Sequence, residues 1–292
     1  MSALQETASG EAGTLYVVAT PIGNLEDLSE RALRILGEAD LVLAEDTRRL
    51  RKILTTRGLR PTVKSYHGDT SATKRERILK ELAEGACMAL VTEAGTPGLS
   101  DPGAQLVAEA AQRGVRVVPI PGPSAITAAL SVSGLPGQAF DFAGYAPRQT
   151  GERREFLRRV AASPVTSIFF EAPHRLVKCL RDLAEVASEE QQLVICRELT
   201  KLHEEILRTT VGEARAHFEA QEPRGEFTLL LPPDTAAEEA SGGASDEDLR
   251  AAGARLLELG LHTGEAAQVL ALATGRPRNE MYEMLLELRE DS

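Results

Sequence analysis

Residues 91–103 read VTEAGTPGLSDPG, which sets three glycines, two prolines, the acids Glu93 and Asp101 and the hydroxyls Thr96 and Ser100 between an apolar run and a helical pattern. Loops that follow strands in α/β proteins carry ligands, because backbone N–H groups and the next helix's N-terminus point outward there. Two readings are open. Either Gly95, Thr96, Pro97 and Gly98 clear space for the main chain to touch a ligand, or Asp101 and Pro102 serve as N-cap and first residue of the next helix. Three other stretches have the same character. TPIGNLEDLS (20–29) has a lone Gly23 without the G-x-G-x-x-G spacing that seats a pyrophosphate, which leaves a turn capped by Asn24 and Ser29 or a backbone surface for a substrate. PIPGPSAITAAL (119–130) delivers Ser124 and Ala125 to a helix of small residues, for tight packing or for close approach of a ligand. IFFEAPHRL (168–176) is an apolar strand ending at Glu171, with Pro173 and His174 opening a helix. No Ser/His/Asp set, H-E-x-x-H or G-x-x-x-x-G-K-[ST] motif occurs, so hydrolase and kinase chemistry lack their usual signatures.

The elements that must hold these loops follow from periodicity. TLYVVAT (14–20), DLVLAE (40–45), TVKSY (62–66), CMALVT (87–92) and VRVVPI (115–120) are short apolar runs separated by helical patterns such as LSERALRILGEA and ATKRERILKELAEG. That alternation predicts a parallel sheet with crossover helices over 14–137. A second α/β block over 138–232 has strands at FDFAGYAP, TSIFFEA, QLVICREL, HEEILRTT and EFTLLLP. The short connection between 192–199 and 203–210 predicts an antiparallel pair and so a mixed sheet. Residues 1–13 are expected to be a disordered tail and 233–245 a linker, since their composition buries too little apolar surface to order itself. Residues 246–292 hold three short amphipathic patterns, a helix-turn-helix-like bundle or a packing appendage.

Composition narrows the class. The 292 residues are 42% hydrophobic, which suits a two-domain globular enzyme. Cys87, Cys179 and Cys196 sit in apolar runs without a Cys-x-x-Cys pair, so core packing in a reducing compartment is expected and no metal site. The N-terminus lacks a signal-peptide pattern and no run approaches the roughly 20 apolar residues of a membrane span, so a cytoplasmic protein without a membrane partner is expected. Net charge is −11, which opposes nucleic-acid binding, yet residues 234–292 carry −8 of it and the body only −3. Within the body, arginines and lysines gather at 48–60, 74–77 and 148–159, as solvated helix faces or as a polyanion contact.

The segments LYVVATPIGNLEDLSERA, AEDTR, TEAGTPGLSDPG, VVPIPGPSAITAAL, FAGYAPR, FFEAPHRL, RELTKLHEE and GEFTLLL, in this order, resemble the tetrapyrrole methylase superfamily. More narrowly they resemble its ribosomal branch, the ribosomal RNA small subunit methyltransferase I family of 16S rRNA cytidine 2′-O-methyltransferases. The resemblance spans about residues 14–231. It implies a two-domain tetrapyrrole-methylase-like fold, S-adenosylmethionine held between the domains and a homodimer. It also implies methylation of a cytidine ribose, expected at 1402, in the decoding region of 16S rRNA within the small ribosomal subunit. Carried over by position, the cofactor surface comprises Pro21, Ala94, Gly95, Thr96, Pro97, Asp101, Ser124 and Ala125. The second domain adds Phe170, Glu171, Leu199, Glu226, Phe227 and Thr228. The first loop departs from the glycine-rich loop of precorrin-type members, which assigns it, with Asn24, to the RNA.

Methyl transfer from a sulfonium demands alignment and exclusion of water more than special residue types. A ribose hydroxyl is a poor nucleophile, so a base helps; Glu45, Asp46, Asp101 and Glu198 are the candidates. Arg48, Arg49, Arg148 and Lys201 suit phosphate contacts, and Tyr66 and His67 suit stacking on a splayed base. Competing readings are a methyltransferase of the same fold acting on a tetrapyrrole or a modified protein side chain, a non-catalytic rRNA-binding assembly factor, and a nucleotide-dependent oxidoreductase.

Overall fold

A computed structural model describes residues 12–99, 102–233, 246–274 and 276–290. The chain falls into two compact units, one comprising the residues up to 161 with 166–232, the other 162–165 with the residues from 233 onward.

The first unit holds two sheets. In the first, β1 (Thr14–Val18), β2 (Leu41–Ala44), β3 (Val63–Ser65), β4 (Cys87–Val91) and β5 (Arg116–Ile120) are all parallel, in the order β3-β2-β4-β1-β5. The crossovers include α1 (Glu30–Glu38), α2 (Thr47–Thr56), α3 (Ala72–Ala83) and α4 (Ala104–Gln112). Because side chains alternate along a strand, each run feeds two cores. Tyr16, Val18, Val42, Ala44, Ala89 and Val91 pack on the side of α1 and α2, whereas Leu15, Leu41, Leu43, Met88 and Leu90 pack on that of α3 and α4. Ser29 caps α1 by accepting from Ala32 N–H, and Asp46 caps α2 by accepting from Arg48 and Arg49 N–H.

One expectation is corrected. The helix after the VTEAGTPGLSDPG loop does not take Asp101 and Pro102 as N-cap and first residue; α4 starts at Ala104 with Gly103 as N-cap. Gly103 has φ 134, and a Cβ there would meet Leu90 Cδ2 at 2.8 Å, so only glycine fits both the backbone and the sheet below. Ser100 and Asp101 lie outside the described residues.

After α5 (Ala125–Ser133), the second sheet runs β6-β7-β10-β8-β9, from β6 (Phe140–Tyr145), β7 (Thr166–Glu171), β8 (Gln192–Arg197), β9 (Glu205–Thr210) and β10 (Phe227–Leu231). Only β6 and β7 are parallel; the expected antiparallel pair is β8 with β9, so the sheet is mixed. One face carries α6 (Thr150–Ala161), α7 (Pro173–Ala184) and α8 (Val211–Ala220) over Phe169, Leu193, Ile195, Phe227, Leu229 and Leu231. The opposite face, Ile168, Val194, Cys196 and Leu230, packs against Ile22, Ile126 and Ala129 and so joins the two sheets through an apolar seam.

The second unit contains the helices Asp246–Glu258, Thr263–Thr274 and Arg278–Glu290 around Leu249, Ala266, Ala267, Leu270, Met281 and Leu285. A Cβ on Gly253 would meet Leu285 Cδ2 at 2.4 Å, so a glycine lets two of these helices touch. The expected tail over 1–13 and linker over 233–245 lie, apart from residues 12, 13 and 233, outside the described residues. No helix of the described residues is long and apolar enough to cross a membrane.

Candidate functional site

The strand order places the C-terminal ends of β4, β1 and β5 side by side, so the loops that leave them meet. Thr20 and Gly95 form an isolated antiparallel bridge, with Thr20 N–H donating to Gly95 O at 2.9 Å and Gly95 N–H to Thr20 O at 3.0 Å. Gly95 has φ 81, a left-handed conformation that glycine adopts without steric cost. Thr96 Oγ1 donates to Pro123 O at 3.2 Å and ties the second loop to the third. The second sheet contributes the end of β7 and the start of β10, which pair Glu171 with Phe227 and Phe170 with Thr228.

Together these segments line a half-open cavity of about 320 Å³, within the range of small-molecule sites. Ala94, Gly95 and Thr96 line it from the second loop, and Ser124 and Ala125 from the third. Phe170, Glu171, Glu226, Phe227 and Thr228 line it from the second sheet. Three of the residues expected there stand elsewhere. Pro21 and Pro97 are buried away from the cavity wall, and Leu199 belongs to the apolar seam. Each occurs in a segment that reaches the site, but a segment fixes neither which way a side chain turns nor what packs against it.

The cavity's polar groups suit a ligand with donors and a charged end. Ser124, the N-cap of α5, makes no side-chain cap bond and lines the cavity with Ala125, so the start of α5 has first-turn N–H groups to offer there; the start of α7 also lines it, but Pro173 has no N–H and Arg175 N–H already donates to Ala172 O. Glu171 is 2% exposed; its Oε1 accepts from Ala172 N–H at 2.7 Å and pairs with Arg175 Nη2 at 2.5 Å, while its Oε2 has no hydrogen-bond partner. Burial pushes this carboxyl above its ordinary value, against the pull of Ala172 N–H and Arg175. The Glu171 side chain is wholly covered and has the Cys179 thiol beside it as well as Arg175, so it braces the cavity wall from behind and presents no oxygen to a ligand.

The RELTK loop is strained and internally paired. Glu198 (φ 52) and Thr200 (φ 66) both have left-handed backbones. Glu198 Oε1 accepts from Lys201 Nζ at 2.8 Å and from Glu226 N–H at 3.0 Å, and Lys201 Nζ also reaches Glu226 Oε2 at 3.0 Å. Burial raises the Glu198 carboxyl, but the bonds from Lys201 and Glu226 outweigh it and hold it below its ordinary value. Lys201, expected to meet phosphate, is therefore held by two carboxylates, and Glu198, expected as a base, is an acceptor already in use.

Other expected residues are placed as follows. Asp46 is exposed and its carboxyl lies below its ordinary value because Arg49 and Arg48 N–H donate to it in the cap; Glu45 precedes it and does not line the cavity. Asn24 Oδ1 accepts from Glu26 N–H at 3.0 Å, as the turn reading expects. Tyr66 is 4% exposed in the core, which removes the stacking expected of its ring, while His67 is exposed. The sequence shows TVKSY as a strand but not which face its last residue takes. Arg148 is exposed, and its carbonyl accepts from Arg153 Nη1 at 3.0 Å, whose Nε donates to Asp182 Oδ2 at 2.7 Å. Asp101 is outside the described residues.

Cavity residues to which the sequence reading gave no role include Glu93, singled out only as an acid of its loop, and Ile126 and Tyr145. Each stands next to, or inside, a quoted segment, which was the available signal. Arg49, read as a phosphate contact, also lines the cavity, with Nη1 2.7 Å from Glu93 Oε1. From Arg49 a groove continues past Pro21, Leu25 and Lys52 to an open depression bordered by Asn24, Arg57 and Lys201. Among the described residues no cluster of three His, Cys, Asp or Glu side chains could hold a metal.

Comparison with known proteins fits this architecture. Residues 14–215 match the family described as Tetrapyrrole (Corrin/Porphyrin) Methylases. A Synechocystis protein named ribosomal RNA small subunit methyltransferase I is 40% identical over 279 residues, covering 96% of this chain and 99% of its own. Its namesake in Escherichia coli O157:H7 is 39% identical over 97% of this chain and 98% of its own. A Thermotoga maritima namesake is 44% identical over 219 residues, which is 98% of its length but 75% of this chain. Among solved structures, cobalt precorrin-4 methyltransferase matches with a TM-score of 0.56 at 20% identity over 75% of this chain and 94% of its own. Diphthine synthase matches at 0.57 and 15% over 75% and 89%. Uroporphyrin-III C-methyltransferase from Thermus thermophilus, complexed with S-adenosylhomocysteine, matches at 0.51 and 22% over 75% and 97%. The fold, the meeting of three strand-end loops and these likenesses place the chain in the tetrapyrrole methylase family, within its ribosomal RNA small subunit methyltransferase I branch.

Proposed function

We propose that this protein transfers a methyl group from S-adenosylmethionine to the 2′-hydroxyl of a cytidine ribose in 16S rRNA of the small ribosomal subunit, as a cytoplasmic homodimer. The observation that carries the reading is that Arg49 borders both the cavity and the adjoining groove with Lys52, so a donor site and a cationic surface meet at one side chain. The names of the relatives support the RNA substrate.

The cavity suits the donor: the first-turn N–H groups at the uncapped start of α5 offer partners for its carboxylate, and the Glu93 and Glu226 carboxylates that line it offer partners for its amine. When bound, S-adenosylmethionine supplies an electrophilic methyl group on a sulfonium leaving group. The protein's share is to align the ribose oxygen and exclude water. The groove holds phosphates through Arg49 and Lys52, with Arg57 at the depression it runs into and the exposed Arg48 and Arg148 as further contacts for the RNA. For proton removal, Asp46 is engaged in capping, Glu198 in the Lys201 pair and the cavity-lining Glu93 in the Arg49 pair, which leaves Glu45 and Asp101 as carboxylates for the role.

The test offers labelled S-adenosylmethionine with small ribosomal subunits, naked 16S rRNA or a tetrapyrrole precursor. Base-stable label at one cytidine of the RNA is expected. Label on the tetrapyrrole alone, or on nothing, overturns the proposal. Sedimentation of the active protein tests the dimer.

A further inference from the structure

Tyr145 ends β6, and its side chain does not stand where simple alternation along the strand would put it. Residues three apart on a regular strand face opposite ways. The register of β6 against β7 shifts between Phe142 and Tyr145, and Gly144, with φ 79, lies in the shift. The extra residue reverses the parity, so Phe142 and Tyr145 both turn to Phe170 and meet it edge-on, with ring centroids at 5.0 and 5.3 Å. Bulges beside functional sites re-aim side chains in this way. Here the result is a phenol ring that lines the cavity yet remains 58% exposed.

That exposure has a chemical meaning. The chain has four tyrosines, seven phenylalanines and no tryptophan, and Tyr16 and Tyr66 are buried. The edge-on contact with Phe170 fixes the plane of the Tyr145 ring, and a ring so fixed is a shelf for a flat π-system. A reactive donor needs shielding from water and belongs among the buried cavity residues Ile126, Phe227 and Thr228. A half-open ring at the rim meets what arrives from solvent.

We propose that Tyr145 is the shelf on which the nucleobase of the acceptor nucleotide stacks, so that it contributes affinity for the acceptor and takes no part in holding the donor. This rests on the RNA methylation proposed above. Stacking lost from one base should raise KM for small ribosomal subunits about ten-fold or more in Tyr145→Ala and in Tyr145→Leu, which keeps bulk without a π-face. Tyr145→Phe and Tyr145→Trp should stay within about two-fold of the unsubstituted protein, and calorimetric affinity for S-adenosylhomocysteine should be unchanged in all four. An unchanged KM in Tyr145→Ala, a KM that Tyr145→Leu preserves, or a loss of donor affinity matching the loss for RNA overturns the assignment while leaving the methylation standing. Unsubstituted protein that labels no RNA overturns both.

Discussion

Gly23 and Lys201 stand so close that a Cβ on the glycine would lie 2.4 Å from Lys201 Cγ, and 2.8 Å from the carbonyl oxygen of Leu199. The glycine of TPIGN therefore serves a close approach between the first loop and the RELTK loop of the second sheet. The lysine stem can swing away, but the carbonyl belongs to a loop fixed on both sides by left-handed residues. Gly23→Ala is expected to destabilise the protein by about 1–3 kcal/mol through overpacking. Thermal melting would show a Tm lower by about 2–4 °C for each kcal/mol. Adding Lys201→Ala should recover little of it, because the contact with the Leu199 carbonyl persists; full recovery would show that the lysine alone is the obstacle.

Acid should loosen the same region in a defined direction. Glu198 titrates below the ordinary glutamate value of 4.5 in the folded protein. Its contribution is therefore fully present above about that ordinary value and is lost as pH falls through the depressed folded one. Lys201, raised despite partial burial by its bonds to Glu198 and Glu226, contributes below its ordinary 10.5 and loses that contribution only as pH rises through a higher value. Melting curves across the acid range should show a steeper fall of Tm in the unsubstituted protein than in Glu198→Gln. Parallel profiles would remove Glu198 from the account.

The thiols give a check on packing. Cys196 is pushed up to about 11 by burial, Cys179 is raised by burial more strongly still, and Cys87 is only partly covered. At pH near 8 an aromatic disulfide reagent should titrate Cys87 readily and the other two only after denaturation, since the thiolate is the reacting form. Rapid reaction of all three in the native protein would contradict the packing of β8 and α7.

How much of this was legible beforehand differs by level. The strands and crossovers of the first sheet were readable because parallel strands buried on both faces, such as LVLA and CMALV, are short apolar runs, although the edge strand with VVPI is only partly covered. The mixed second sheet followed from the brevity of the 198–204 connection. The four loops were recognisable as a site because glycine and proline mark where main chain is presented. Side-chain direction was not legible. Tyr66 turns into the core, Leu199 turns into the seam, and the bulge at Gly144 brings Tyr145 to the cavity. Each outcome depends on a register or a backbone angle that residue types do not specify. The pairing of Lys201 with Glu198 and Glu226 joins residues up to 25 positions apart, beyond any local pattern.

The apolar seam of Ile22 and Ile126 against Ile168, Val194 and Leu230 restricts how guests can enter. Prising the sheets apart would wet those aliphatic side chains at about 1.5–3 kcal/mol for each one fully exposed. Traffic into the pocket is thus expected to pass through small swings of the outer groups, with the Arg49–Glu93 pair as gatekeeper, while the two halves travel as one block.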